Sequence, residues 1–174
     1  LCKDTYEQQA WWLQGDYVVG RFNHELFYSN SDTERDFYAD GISFFKPKGD
    51  LERGGYLGTF TGGDALRLVY GVDLESESMN DGTTDTSRNQ EGYYLEYQGG
   101  FNDSLYVTTG VRYDDNEDFG THTSYRVSGA YLIPLSKGEL KLKGTYGTGF
   151  RAPSLYEIAY NTGDFASPPA QGTE

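Results

Sequence analysis

Asp114-Asp115-Asn116-Glu117-Asp118-Phe119-Gly120 is the stretch of this chain that comes nearest to a chemical motif. Asp114, Asn116 and Asp118 fall at the alternate positions from which a calcium loop offers oxygen ligands. The rest of that motif is missing. Phe119 stands where the turn glycine belongs, and Tyr125 stands where the bidentate glutamate belongs. The expectation is therefore a weak Ca2+ site on Asp114, Asn116 and Asp118. Carboxylates also crowd elsewhere, at Asp32, Glu34, Asp36, Asp40, Glu75, Glu77, Asp81 and Asp85. Such clusters can take a divalent cation, including one that bridges to lipopolysaccharide phosphates, but solvated loop charge is the simpler reading.

Enzyme chemistry finds less to work with. His24, His122 and Cys2 are too far apart in sequence to form a zinc-type cluster. No Gly-x-Ser-x-Gly nucleophile elbow occurs, and Gly147-Thr148-Gly149 is too short to cradle a phosphate. Asn102-Asp103-Ser104 has the form of a glycosylation sequon but falls in a tight turn. No enzyme is expected. The net charge of −13 over 174 residues removes nucleic acid as a default partner.

The elements that position these residues show a period of two. Leu66, Leu68, Tyr70, Val72 and Leu74 alternate with Arg67, Val69, Gly71, Asp73 and Glu75. That is a strand with one apolar and one polar face. The pattern returns in Tyr93 to Gln98, Leu105 to Asp114, Ser124 to Ile133 and Leu140 to Tyr146, and less cleanly in Gln8 to Val18, Phe22 to Asn30 and Arg53 to Phe60. Helical periodicity is confined to Ser154 to Ala159, too short to shape the fold. Short turns near Gly20, Gly62-Gly63-Asp64, Asn102-Asp103 and Ser136-Lys137-Gly138 take turns with long polar stretches, Ser31 to Asp50, Met79 to Gln90, Asp114 to His122 and onward from Arg151. These stretches are expected to be loops. In an up-and-down sheet, successive turns lie at opposite ends, so one end carries tight turns and the other long loops, the layout of an outer-membrane barrel.

The composition agrees with strands that separate two solvents. Only 36% of the residues are hydrophobic, 26 are Phe or Tyr, and no apolar run is long enough for a spanning helix. Turning the strand at Leu66 by one residue would aim Arg67, Asp73 and Glu75 at lipid, where a midplane Arg costs about 2–4 kcal/mol. Aromatic residues at the ends of the apolar stripes suit the girdles where lipid meets water. An amphipathic sheet in a soluble sandwich would alternate in the same way with its apolar face inward. A propeller is disfavoured because its blades need four strands in about 40 to 45 residues, where this chain has two.

One segment is more specific. Tyr146-Gly147-Thr148-Gly149-Phe150-Arg151-Ala152-Pro153-Ser154-Leu155, after Leu140-Lys141-Leu142-Lys143, closely resembles the mid-barrel signature of TonB-dependent outer-membrane receptors. Arg112-Tyr113-Asp114, Phe119-Gly120 and Thr123-Ser124-Tyr125-Arg126 resemble the hairpin before it. The resemblance implies an all-β fold: an antiparallel up-and-down transmembrane β-barrel segment, about eight strands of a larger 22-stranded barrel. It implies a receptor in the bacterial outer membrane for energised uptake of a ferric siderophore or cobalamin. The implied partners are the TonB complex, acting through a plug, together with outer-membrane lipid, lipopolysaccharide and the small nutrient ligand. Ligand contacts would then fall in the extracellular loops, with Phe37, Tyr38, Phe44 and Phe45 as candidate aromatics.

Residues 1–174 contain no TonB box and no plug, and they end at Gly172-Thr173-Glu174 without a terminal aromatic strand. The expectation is an internal barrel segment. A complete small eight-stranded outer-membrane barrel with a structural or adhesion role is the alternative, disfavoured by the missing terminal strand and by Ser167-Pro168-Pro169. A soluble sandwich that binds carbohydrate through tyrosines is a third reading.

Overall fold

The structure is a computed structural model and describes residues 2–63 and 65–160. Strands β1 (Cys2–Val19), β2 (Phe22–Ala39), β3 (Ile42–Phe45), β4 (Lys48–Thr61), β5 (Leu66–Asn80), β6 (Asp85–Phe101), β7 (Leu105–Asn116), β8 (Gly120–Leu135) and β9 (Gly138–Gly147) are followed by helix α1 (Leu155–Tyr160). They form one antiparallel sheet in the order β1-β2-β4-β5-β6-β7-β8-β9, and the short β3 pairs with β2. Every neighbour in that order is also the next long strand along the chain. This is the up-and-down meander expected from the turns.

Register decides which side chains share a face, because directly paired residues of antiparallel strands point the same way. Tyr70 pairs with Leu95, Leu95 with Val111, and Val111 with Tyr125. One row below, Leu68 pairs with Phe60 and with Tyr97. The apolar stripes therefore merge into one continuous surface, the outer face. On the opposite, inner face, Asp73 lies in line with Gly92 and Asp114, and Glu96 with Gly110 and Arg126. A slip of one residue anywhere would exchange the two faces.

The chain itself does not cover the outer face. Leu26 is 64% exposed, Leu95 50% and Leu142 52%, while the buried hydrophobic residues among those described are Met79 and Leu155 alone. A soluble sandwich would bury one of these faces. Here the apolar face is left for a solvent other than water, and its edges are aromatic. Trp11 and Tyr28 pack at 5.1 Å between ring centroids towards one end, and Phe22 and Phe60 at 4.9 Å towards the other.

The tight turns fall where expected, but the long loops do not. Most of Ser31 to Asp50, Met79 to Gln90 and Asp114 to His122 is strand. β2 runs to Ala39 before turning back into β3, and residues 81–84 and 117–119 are all that join the other two pairs. Ladders continue beyond the apolar band with polar residues on both faces, so the contrast that marks a strand fades while the backbone pairing persists. Asp40 (φ 50°) and Gly41 (φ 82°) turn the first hairpin with both central residues left-handed, the arrangement an Asp-Gly pair favours. These strand extensions form a palisade beyond the apolar band, at the end opposite the tight turns.

The expectation for the segment after β9 also changes. α1 packs against β5 and β6, and it carries Leu155 at 2% exposure. Ser154 and Glu157 cap it reciprocally. The Ser154 Oγ accepts from the Glu157 amide at 3.2 Å, and a Glu157 carboxylate oxygen accepts from the Ser154 amide at 2.7 Å. Ser167-Pro168-Pro169 and Gly172-Thr173-Glu174 lie outside the described residues.

Candidate functional site

Period-two alternation places Arg53, Arg88, Arg112 and Arg126 on the inner face, and each finds a carboxylate on another strand. Arg53 of β4 meets Glu75 of β5 at 3.0 Å, and Arg126 of β8 meets Glu96 of β6 at 3.1 Å. Arg88 of β6 meets Glu77 of β5 at 2.6 Å. Arg112 of β7 reaches across β6 to Asp73 of β5 at 2.7 Å and also holds Asp114 at 2.8 Å.

Arg112 can reach that far because of what it crosses. Gly92 lies between Asp73 and Asp114 in the register, and a Cβ there would collide with the guanidinium. In the same way the ring of Tyr94 occupies the space above Gly71, and that of Phe27 the space above Gly55. The glycines thus form shallow seats in which large side chains lie flat against the wall. The result is a polar inner surface on which Arg53, Arg88, Arg112 and Arg126 are paired across strands and held in fixed orientations. Such a surface can offer oriented hydrogen bonds to a passing polar molecule.

The β2–β3 hairpin carries the four aromatic candidates. Phe37 and Phe45 are register partners with centroids 5.7 Å apart, and Phe44 stands 6.5 Å from Phe37. The Arg35 guanidinium lies 4.7 Å from the centroid of Phe37. Tyr38 is not part of this group. Its hydroxyl donates to Asp36 at 2.8 Å, on the opposite side of the strand from Phe37. The structure thus gathers Phe37, Phe44 and Phe45 beside Arg35 and separates Tyr38 from them.

Charge fixes the base of this hairpin. Glu34 takes Lys46 at 2.6 Å and Lys48 at 2.9 Å, and these two ammonium groups hold its carboxyl below the usual 4.5. Asp36 accepts from Ser43 as well as from Tyr38, and the Ser43 hydroxyl is the main reason its carboxyl lies below 3.8. On the outward side, Asp32 is raised above 3.8 because it shares its space with the carboxyl of Asp50. Asn30 donates to Asp50 at 2.9 Å.

Asp114, Asn116 and Asp118 each have a protein partner. Asp114 is tied to Arg112. The Asn116 side-chain oxygen accepts from the amides of Asp118 and Phe119 at 3.1 and 3.2 Å, and its amide group donates to Gln90 at 2.8 Å. Asp118 lies 3.8 Å from Arg88. A cation bound by all three would have to displace Arg112 from Asp114. Among the described residues, no three His, Cys, Asp or Glu side chains gather as metal ligands would.

Sequence reading missed Arg88, which is 7% exposed. Its guanidinium donates to the Pro153 carbonyl at 2.7 Å, a partner 65 positions away that no local pattern reveals. The helical periodicity at Ser154 to Ala159 is α1, but its length understates its weight: Pro153 followed by Ser-x-x-Glu is a helix-start signal, and the short helix packs against β5 and β6.

Known proteins share this architecture. The family described as "TonB dependent receptor-like, beta-barrel" matches residues 3–173. An iron-regulated outer membrane virulence protein of Vibrio cholerae is 34% identical over 104 residues, covering 55% of this chain and 15% of that protein. The vitamin B12 transporter BtuB of Photobacterium profundum is 32% identical over 98 residues, covering 55% of this chain and 16% of that protein. The matched part is thus a small fraction of the curated relatives' length. Among solved structures, the siderophore receptor PirA from Pseudomonas aeruginosa superposes with a TM-score of 0.79 at 16% identity, over 89% of this chain and 28% of that one. The RagAB peptide transporter gives a TM-score of 0.56 at 12% identity, over 86% of this chain and 23% of that one.

Proposed function

The chain belongs to the TonB-dependent receptor-like β-barrel family, and on that premise we propose that it forms part of the wall of an outer-membrane receptor that takes up a ferric siderophore or cobalamin. The observation that carries this reading is the division of one sheet into an uncovered apolar face and a polar inner face whose arginines are ion-paired across strands. Lipid would cover the first, and the nutrient would pass along the second. Uptake would be driven by the TonB complex acting on a plug in the whole receptor.

The hairpin palisade would make the first contact with the nutrient. Phe37, Phe44 and Phe45 offer apolar and π surface, while Arg35 beside them is ion-paired with Asp4 at 2.6 Å and braces the aromatic group without presenting a free charge. This suits a large ligand with aromatic or apolar groups. Tyr38 would support the hairpin rather than touch ligand. A weak Ca2+ site at Asp114, Asn116 and Asp118 would require the turn to open. No step of this reading is enzymatic.

The test is growth. A strain that lacks the whole receptor is supplied with iron only as a ferric siderophore, or with cobalamin as a required nutrient at limiting concentration. Loss of growth on one supply, restored by the receptor gene, supports the reading and identifies the ligand class. Unimpaired growth on a panel of siderophores and on cobalamin would overturn it.

A further inference from the structure

After β9 the chain does not run outward. Thr148 still pairs with β8, its amide donating to the Tyr125 carbonyl at 2.9 Å. Phe150 then stacks on His122 with ring centroids 4.6 Å apart. Pro153 presents its carbonyl to Arg88 of β6, and α1 reaches β5. His122, Arg88 and Met79 all have the register parity of the inner face, so the segment crosses β8, β7 and β6 on the side that faces the lumen.

Arg88 is where this crossing is fastened. One nitrogen donates to Pro153 and another to Glu77 at 2.6 Å, while Asp118 lies 3.8 Å away and the ring of Phe119 6.0 Å away. Glu117 in the same turn accepts from the backbone amide of Asn89 at 3.0 Å. The β5–β6 hairpin, the β7–β8 turn and the segment after β9 therefore meet on one guanidinium. Leu155 and Met79 are buried at the same end of the sheet. A charge-assisted bond of this kind, once desolvated, holds far more firmly than an exposed one.

We infer that residues 151–160 form a strap drawn across the inner wall at the extracellular end of the sheet, and that Arg88 is the latch that holds it there. The strap narrows the mouth on this side. It is fixed by few groups, so loss of one side chain frees it while the hydrogen-bonded sheet beneath stays intact. Arg88 is a positioning residue, acting through the strap rather than on a ligand, and the inference holds whichever nutrient the receptor carries.

The experiment uses the complete receptor in whole cells, with Cys2 replaced by Ser and a single new cysteine at Leu155→Cys, labelled by a membrane-impermeant maleimide. With Arg88 intact, labelling is slow compared with the exposed control Tyr156→Cys. Arg88→Gln raises the Leu155→Cys rate about tenfold or more, as expected for loss of charge-assisted bonds that hold a local structure closed. Glu77→Gln, which loosens Arg88 without touching the strap, gives a smaller rise. The control rate does not change, and heat-modifiable mobility on gels verifies that each variant has a folded barrel. Labelling of Leu155→Cys as fast as the control with Arg88 intact would overturn the strap, and a rate unaffected by Arg88→Gln in a folded barrel would overturn the latch.

Discussion

Arg112 is the residue on which the inner wall most depends. It neutralises two carboxylates, Asp73 and Asp114, whose side chains are only 18% and 10% exposed. Removing it leaves both without their counter-charge, so Arg112→Leu is expected to destabilise the barrel by about 1–3 kcal/mol. Urea unfolding of the whole receptor in lipid vesicles measures this. Gly92→Val should act in the same direction by pushing the guanidinium out of its seat, and the double variant should cost less than the sum of the two. Full additivity would mean that Gly92 does not serve Arg112.

Glu34 makes the β2–β3 hairpin sensitive to pH. Its folded pKa is lowered from 4.5 by Lys46 and Lys48, and that of Asp36 from 3.8 by Ser43. A lowered carboxylate contributes stability that is complete above its unfolded value and is lost as pH falls through the folded one. The β2–β3 hairpin should therefore be firm at neutral pH and loosen as pH falls below about 4.5, as Glu34 and Asp36 take up protons. Amide hydrogen exchange over residues 34–48, corrected for intrinsic rates, should show protection falling on acidification. Protection that rises would contradict the assignment.

At the scale of the strand, face matters more than residue type. Leu95 points outward between Tyr70 and Val111. Leu95→Arg should cost about 2–4 kcal/mol in a bilayer. Thr108 belongs to the opposite face and pairs with Gln98 and Ser128. Thr108→Arg should cost well under about 1 kcal/mol, because a lumen position keeps its water. Equal costs for the two would mean that the faces are wrongly assigned. The same contrast explains what was legible in the sequence. Leu66 to Glu75 could be read as a strand because lipid and lumen impose opposite demands on successive residues. Glu75 to Asn80 could not, because both faces there meet water and only backbone pairing remains. Asp40-Gly41 did carry a hairpin signal between Phe37-Tyr38-Ala39 and Ile42-Ser43-Phe44-Phe45, but the many charged residues on either side made the whole stretch read as a loop. The roles of Arg88 and Arg112 depend on partners in other strands, which no single stretch displays. The aromatic candidates were legible as a group, but their division was not. Whether Tyr38 joins Phe37 depends on which side of β2 each one faces, and on the bulge between them where β3 pairs.

The whole molecule is a sheet without a core of its own, and its stability must come from what surrounds it. Eight long strands follow one another in chain order, the buried apolar side chains among the described residues number two, and large hydrophobic residues stand exposed along the outer face. Membership of the receptor family places that face against outer-membrane lipid and the paired charges towards a lumen. Spin labels placed one at a time from Tyr93 to Gln98 and from Val107 to Tyr113, in the complete receptor in bilayers, test this most directly. Collision with oxygen, which concentrates in lipid, should peak at 93, 95, 97, 107, 109, 111 and 113, and collision with a water-soluble nickel complex at the positions between. Alternation of the opposite phase, or none, would contradict the account.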